Sequence, residues 1–363
     1  VGAKPTETLH EQGQSIWLDY ITRDLMASGT LARYIEDLSV TGLTSNPSIF
    51  DKAMEGSSDY DDDIRSHAAA GRSGEDLFFQ LAMDDIRAAA DHFHATWERT
   101  AGVDGWVSLE VSPNLAFDTE ATIEAAQSLH TQVDRPNVFI KIPATPQGLA
   151  AIEESIASGV AVNATLLFSV EQYVAQAEAY LRGIERRVAN GLDPDVASVG
   201  SLFVSRWDKK VPDSAPDELK GRLGVSVSKA AYKAYRELFS SDRFMRLVSH
   251  GARPQRILWA STSTKDPALP DTYYVSELAA PGTVNTMPEH TLLAVADHGE
   301  ITDGVGADGD DSADWLAKFA AAGVDPEAVG KELQDEGAAA FVESWESLMS
   351  CIEGKTTTLA AAG

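Results

Sequence analysis

Only one cysteine, Cys351, stands in the 363 residues, so no disulfide can form within the chain, and a reducing compartment suits it. It lies in a helical pattern, where a small buried apolar residue is the ordinary role for a thiol. Basic residues are also scarce. The 29 Lys and Arg against 56 Asp and Glu give a formal charge of -27 at pH 7, which opposes non-specific attraction to nucleic acid or to an anionic membrane surface. A phosphorylated small molecule needs only a few local cations, and these would stand out against an acidic background. No run approaches the ~20 apolar residues of a membrane-spanning helix. Residues 1–14 lack the basic-then-apolar order of a secretory signal, which makes the cytoplasm the expected compartment.

Several kinds of chemistry lack their motifs. There is no Gly-rich phosphate loop of the Walker or dinucleotide type and no G-x-S-x-G elbow. The eight histidines show no ligand spacing; His92 and His94 are two apart on an expected helix and so do not share a face. No metal is expected, although ligands drawn from separate strands would leave no such spacing.

What the chain does have is a repeated alternation of strand and helix. Strand candidates fall at 15–19, 40–45, 105–111, 138–142, 160–166, 197–203, 255–261 and 282–286. Helical spacing follows at 23–37, from Pro47, at 75–98, 119–131 (with Thr119 as its cap), 146–156, 169–190, 226–239 and within 266–278. Residues 59–63 read as a solvated loop or a helix start. Repeated strand then helix implies a parallel sheet with right-handed crossovers, and eight units close into a (β/α)8 TIM barrel. With no linker or change of composition within it, the chain reads as one domain, 1–363, with a barrel core of about 15–300. An acidic, Ala-rich extension at about 305–353 reads as helices at 312–322 and 326–353, packed on the barrel's outside or serving an oligomer. Residues 354–363 read as disordered.

The stretch Val138-Phe139-Ile140-Lys141-Ile142-Pro143 puts one amine in an otherwise buried strand. Lys141 falls at the strand's C-terminal end, where barrel active sites are built. Desolvation there favours the neutral amine, the form that condenses with a carbonyl. The other reading is a lysine whose stem packs on apolar surface while its head reaches water. Other polar residues gather at the same ends: Asp19, Thr44 with Asn46, Glu110, Asn163 with Thr165, Ser201, Ser261 and Asn285. Each has an ordinary alternative, Asp19 as a helix cap, Asn46 as a turn residue, Thr165 as a plain strand residue. Glu110, between Leu109 and Val111, is harder to place without a partner. Together, one amine, two carboxylates and several hydroxyl and amide groups form the set that Schiff-base carbonyl chemistry requires. Arg206 and Lys265, after the sixth and seventh strands, occupy a recurrent phosphate position of barrels, or else are solvated cations. Lys209 and Lys210 read as rim charges that steer an anion.

These residues resemble the transaldolases, sugar-phosphate enzymes of the pentose phosphate pathway. The resemblance runs from about Ser15 to Leu293 and is carried by Gly42-Leu-Thr-Ser-Asn-Pro-Ser48, Phe139-Ile-Lys-Ile-Pro-Ala144, Val162-Asn-Ala-Thr-Leu-Leu-Phe-Ser169 and Gly200-Ser-Leu-Phe-Val-Ser-Arg206. The helical extension is similar to that of the longer bacterial members. The resemblance implies a (β/α)8 barrel working by a class I aldolase mechanism without cofactor or metal. It implies Lys141 as the Schiff-base lysine, Asp19 as the acid/base, and Glu110 with Thr165 as the pair handling a catalytic water. Asn46, Asn163, Ser201 and Thr44 would bind the three-carbon ketone fragment, and Arg206 the phosphate. Many relatives carry a second phosphate arginine after strand seven, where this chain has Ser261-Thr262-Ser263-Thr264-Lys265; Lys265 would replace it as a point charge. The implied partners are small sugar phosphates, acting on a monomer or homodimer.

The nearest competing reading is a fructose 6-phosphate aldolase that releases dihydroxyacetone. Such relatives typically have tyrosine at the position of Phe203 and glutamine at that of Glu110, so both positions favour transfer. A silent sugar-phosphate-binding barrel is the other alternative, and it would have no use for the amine and two carboxylates.

Overall fold

The structure is a computed structural model and describes residues 3–212, 215–301 and 304–361. Its centre is a closed barrel in which β1 to β8 pair in sequence order. The strands are β1 (Gln14–Asp19), β2 (Val40–Thr44), β3 (Val107–Glu110), β4 (Val138–Pro143), β5 (Val162–Leu167), β6 (Ser198–Phe203), β7 (Arg256–Ala260) and β8 (Thr283–Met287). All neighbours are parallel, with β1 closing on β8. The expected (β/α)8 architecture is what the chain forms.

Alternation along the strands sorts the interior into layers. One layer, Trp17, Phe139, Val199, Leu258 and Val284, is buried and apolar. Phe139 packs against Trp17 at 6.0 Å and Trp106 at 4.1 Å between ring centroids. Two residues further on come Asp19, Lys141, Ser201, Ala260 and Thr286, which line a cavity at the C-terminal mouth. The same periodicity therefore builds an apolar floor and sets a polar layer on it.

Several local expectations need correction. The single helix expected over 23–37 is two, Arg23–Ala27 and Thr30–Asp37, broken at Gly29 with φ 79. The cap before Thr119–Val133 is Asp118, whose side chain accepts from the Ala121 amide at 3.0 Å. Thr119 instead donates to the Gln147 carbonyl at 2.8 Å. Helices at Pro5–Glu11, Asp242–Val248 and Glu289–His298 had no counterpart in the sequence reading. Residues 59–63 start the Asp61–Ala69 helix. Cys351 is partly buried, packed beside the core.

The largest difference lies at the C-terminus. The expected helix over 326–353 is a 36-residue helix, Pro326–Ala361. The stretch expected to be disordered is thus helical through Ala361, with 362–363 outside the described residues. The hydroxyls of Thr356, Thr357 and Thr358 each donate to the carbonyl four residues back. Lys355 Nζ donates to the Ser57 carbonyl at 2.6 Å and meets Asp61 at 3.0 Å. Its later part packs on the outer helices Pro47–Met54, Asp61–Ala69 and Gly74–Arg99, in keeping with an extension on the barrel's outside, whereas its earlier part reaches the mouth. Its buried stripe recurs at helical spacing: Gln334 bonds the Ala144 and Leu166 carbonyls, Phe341 lines the cavity and Trp345 packs on Phe78 and Phe79.

Candidate active site

Each strand tip supplies one part of the site. In β4, Lys141 is 5% exposed and sits in register between Glu110 of β3 and Asn163 of β5. Its Nζ lies 3.0 Å from Glu110 Oε2 and donates to the Ser45 carbonyl at 3.3 Å. The amine is therefore not in purely apolar company. The short approach to Glu110 is an ion-pair contact, and no donor other than this amine meets either carboxylate oxygen among the described residues. Thr165 Oγ1 is likewise buried without a partner there. Burial pushes the Glu110 pKa up, Lys141 opposes that, and Asp19 adds to it.

Asp19 ends β1 and faces the cavity, where Thr44 Oγ1 donates to its Oδ1 at 2.7 Å. Thr44 also meets Thr286 Oγ1 at 2.6 Å, tying β2 to β8. Burial raises the Asp19 pKa, with Lys141 and then the Thr44 hydrogen bond opposing. Two carboxylates are thus held with elevated proton affinity around one amine, an arrangement suited to passing protons to and from a bound molecule.

Asn46 keeps its modest role as well as its place in the cavity lining: its Oδ1 caps the Pro47–Met54 helix at the Ile49 amide, 3.1 Å away. Ser201 lines the cavity and donates to Asn163 Oδ1 at 2.6 Å. Asn163 itself is fully buried, its Nδ2 bonded to Ser108 Oγ at 3.1 Å, and it reaches the cavity only through Ser201. Glu110 also lies behind Lys141 and outside the lining.

The cavity measures about 360 Å³. Toward its outer end stand Arg206 and Lys265, joined by Lys52 from the Pro47–Met54 helix. Burial lowers the Arg206 pKa, with Glu336 opposing. The Lys265 pKa is lowered by burial and then by Lys209, Arg206 and Lys52. Cations this close in a chain of charge -27 mark the region where an anion is held. The Arg206 guanidinium lies 5.1 Å over the Phe203 ring, which packs on Phe168 at 5.2 Å. Ser261, in a left-handed conformation with φ 58, shares a 2.9 Å hydrogen bond with Ser205. Lys210 differs from its expected role. It is committed to Glu332 at 2.9 Å and Glu336 at 2.6 Å, fastening the C-terminal helix rather than steering an anion. Asn285 is fully buried and does not reach the cavity; its Oδ1 accepts from Thr262 at 2.8 Å.

Lys52, Ser48, His290 and Phe341 line the cavity without having been picked out in the sequence. Phe341 comes from the C-terminal helix, and its ring centroid lies 5.6 Å from Lys141 Nζ. Its signal was the apolar stripe of that helix, which names a buried face but not what the face covers.

A family profile described as transaldolase/fructose-6-phosphate aldolase matches residues 16–352. The chain belongs to the transaldolase/fructose-6-phosphate aldolase family. The transaldolase of Saccharopolyspora erythraea is 48% identical over 353 residues, covering 95% of this chain and 96% of that protein. Those of Thermobifida fusca, 48% identical over 354 residues (95% and 96% covered), and Mycolicibacterium smegmatis, 45% over 356 (96% and 96%), are similar throughout as well. In this family member the match takes in every strand tip described above and most of the C-terminal helix. Among the described residues, no helix is long and apolar enough to cross a membrane.

Proposed function

We propose that the protein is a transaldolase, moving a dihydroxyacetone unit from a ketose phosphate to an aldose phosphate through a Schiff base on Lys141. The observation that carries this is one buried amine flanked by two carboxylates of raised pKa beneath a cation-rimmed cavity. Sedoheptulose 7-phosphate or fructose 6-phosphate would be the donor, glyceraldehyde 3-phosphate or erythrose 4-phosphate the acceptor, in the non-oxidative pentose phosphate pathway. The barrel and its extension act as one cytoplasmic domain, working as a monomer or homodimer and needing no cofactor.

The Lys141 amine adds to the keto carbon to give a carbinolamine. Glu110, whose carboxylate meets the Lys141 amine, and Thr165, whose buried hydroxyl has no partner among the described residues, serve its dehydration through a water between them, a proton passing from Glu110 to the departing hydroxyl so that water leaves. Asp19, more basic than an ordinary aspartate, takes the proton from the C4 hydroxyl as the C3–C4 bond breaks. The aldose phosphate departs and the enamine stays on Lys141. Thr44 orients Asp19, and Asn46, with Ser201 held by Asn163, receives the hydroxyls of the three-carbon fragment. Arg206 and Lys265 bind the phosphate, helped by Ser261. Addition of the enamine to a new aldose phosphate reverses the sequence.

Release of free dihydroxyacetone is the competing outcome. Phe203, which packs against Phe168 beside the cavity, offers no proton to the enamine, and this favours transfer. The test supplies fructose 6-phosphate with and without erythrose 4-phosphate. Sedoheptulose 7-phosphate is expected to form rapidly with the acceptor and dihydroxyacetone only slowly without it. Dihydroxyacetone released equally fast in both would identify an aldolase instead.

A further inference from the structure

A transferase of this kind must keep its enamine intact until an acceptor arrives, and water is the competitor. The polar side of the cavity, formed by Asp19, Thr44 and Ser201, serves the chemistry and cannot also repel water. The Phe341 ring, which also lines the cavity, is 5% exposed, with its centroid 5.6 Å from Lys141 Nζ. Resting on the transfer reading above, we propose that Phe341, held over the barrel mouth by the C-terminal helix, keeps water from the Lys141 enamine and thereby sets the ratio of transfer to release.

The seat of that helix is built to fix the ring. Seven residues before Phe341, the buried Gln334 amide donates to the Ala144 carbonyl at 3.0 Å and the Leu166 carbonyl at 2.9 Å, the tips of β4 and β5. Four residues after it, Trp345 Nε1 donates to Glu75 Oε1 at 2.9 Å, and Ser344 Oγ meets Ser48 Oγ at 2.6 Å. Gly337, one turn before the ring, lets the helix come close: a Cβ there would lie 3.0 Å from Leu166 Cδ2 and 3.4 Å from an Arg206 guanidinium nitrogen. The helix is thus bonded to the rest of the protein on both sides of Phe341, and it cannot lift away from the mouth without breaking those bonds. It also carries no acidic hydrogen that could quench the enamine.

Release consumes one water. A proton goes to C3 of the enamine, hydroxide adds to C2 of the resulting iminium, and the C2–N bond breaks to return dihydroxyacetone and the Lys141 amine. Opening the cavity at Phe341 speeds this branch and leaves carbon–carbon bond formation with its own groups. Phe341 is on this account a positioning residue acting through the solvent.

The test measures dihydroxyacetone against sedoheptulose 7-phosphate, formed from fructose 6-phosphate and saturating erythrose 4-phosphate, by wild type, Phe341→Ala and Phe341→Leu. This ratio does not depend on the fraction of active protein, so a loss of folded enzyme alone leaves it unmoved. Phe341→Ala is expected to raise the ratio about tenfold, a differential barrier change of about 1.4 kcal/mol, and Phe341→Leu about threefold, with borohydride trapping still marking Lys141 in both. Should the alanine variant fail to fold, the leucine variant carries the test. A ratio unchanged from wild type, with the Lys141 adduct intact, overturns this role for Phe341 alone. Absence of a Lys141 adduct in the wild type overturns the transfer reading, and this role with it.

Discussion

Three glycines on the C-terminal helix offer a graded test of how it is seated. Gly→Ala inside a helix gains about 1 kcal/mol from backbone propensity when nothing obstructs the methyl group. At Gly354 nothing lies within 4 Å of a built Cβ, so Gly354→Ala is expected to stabilise by about 0.5–1 kcal/mol. At Gly330 the same Cβ would stand 2.7 Å from Ser169 Cβ, inside any real contact distance and against the residue that caps the Val170–Ala189 helix. Overpacking of that kind costs about 1–3 kcal/mol. Set against the propensity gain, this leaves Gly330→Ala destabilised by about 0–2 kcal/mol. Gly337→Ala, at 3.0 Å from Leu166 Cδ2, falls between them. The assay is urea denaturation of the variants, comparing midpoints at constant slope. The order Gly354→Ala, Gly337→Ala, Gly330→Ala from most to least stable is the expected result. Gly330→Ala as stable as Gly354→Ala would refute the close seating of this helix on the barrel.

Asp19→Asn should abolish turnover yet stabilise the fold by about 0.5–2 kcal/mol at pH 7–8. Because burial raises the Asp19 pKa above its ordinary 3.8, the folded state holds that proton longer than the unfolded chain, and the carboxylate costs stability as pH climbs through the raised value. The gain should therefore vanish below about pH 4, and a gain independent of pH would contradict the assignment; thermal melts across pH read it. Arg206→Lys is expected to raise KM for fructose 6-phosphate about tenfold through loss of the guanidinium fork, with kcat changed less. Steady-state kinetics would detect this, and an unchanged KM would remove Arg206 from the phosphate site. Lys210→Ala should change stability by no more than about 1 kcal/mol and leave the salt dependence of kcat/KM unaltered, since its charge is already spent on Glu332 and Glu336. A steeper or shallower salt dependence would return it to anion steering.

The barrel was legible because its signals are local. Each strand is a short apolar run bounded by breakers, and period-2 alternation puts Lys141 above Phe139 and Asp19 above Trp17 without knowledge of the partner strands. What sequence spacing could not give was distance across the mouth. Glu110 and Asn163 pair in register with Lys141 yet lie outside the cavity lining, an arrangement of three strands that no single strand encodes. Lys52 and Phe341 reach the site from helices whose own pattern specifies only a buried face. The helical end beyond residue 353 was obscured by Gly354 and three successive threonines, all weak helix formers. Tertiary anchoring at Lys355 and hydroxyl bonds back to the preceding turn override that preference.

The central claim is that Lys141 is the amine that bonds to substrate. The most direct measurement is borohydride reduction of the protein in the presence of fructose 6-phosphate, followed by peptide mass mapping. A reduced dihydroxyacetone adduct on Lys141, absent from Lys141→Arg and retained in Asp19→Ala, is the expected result. No adduct, or an adduct on any other lysine, would contradict the account.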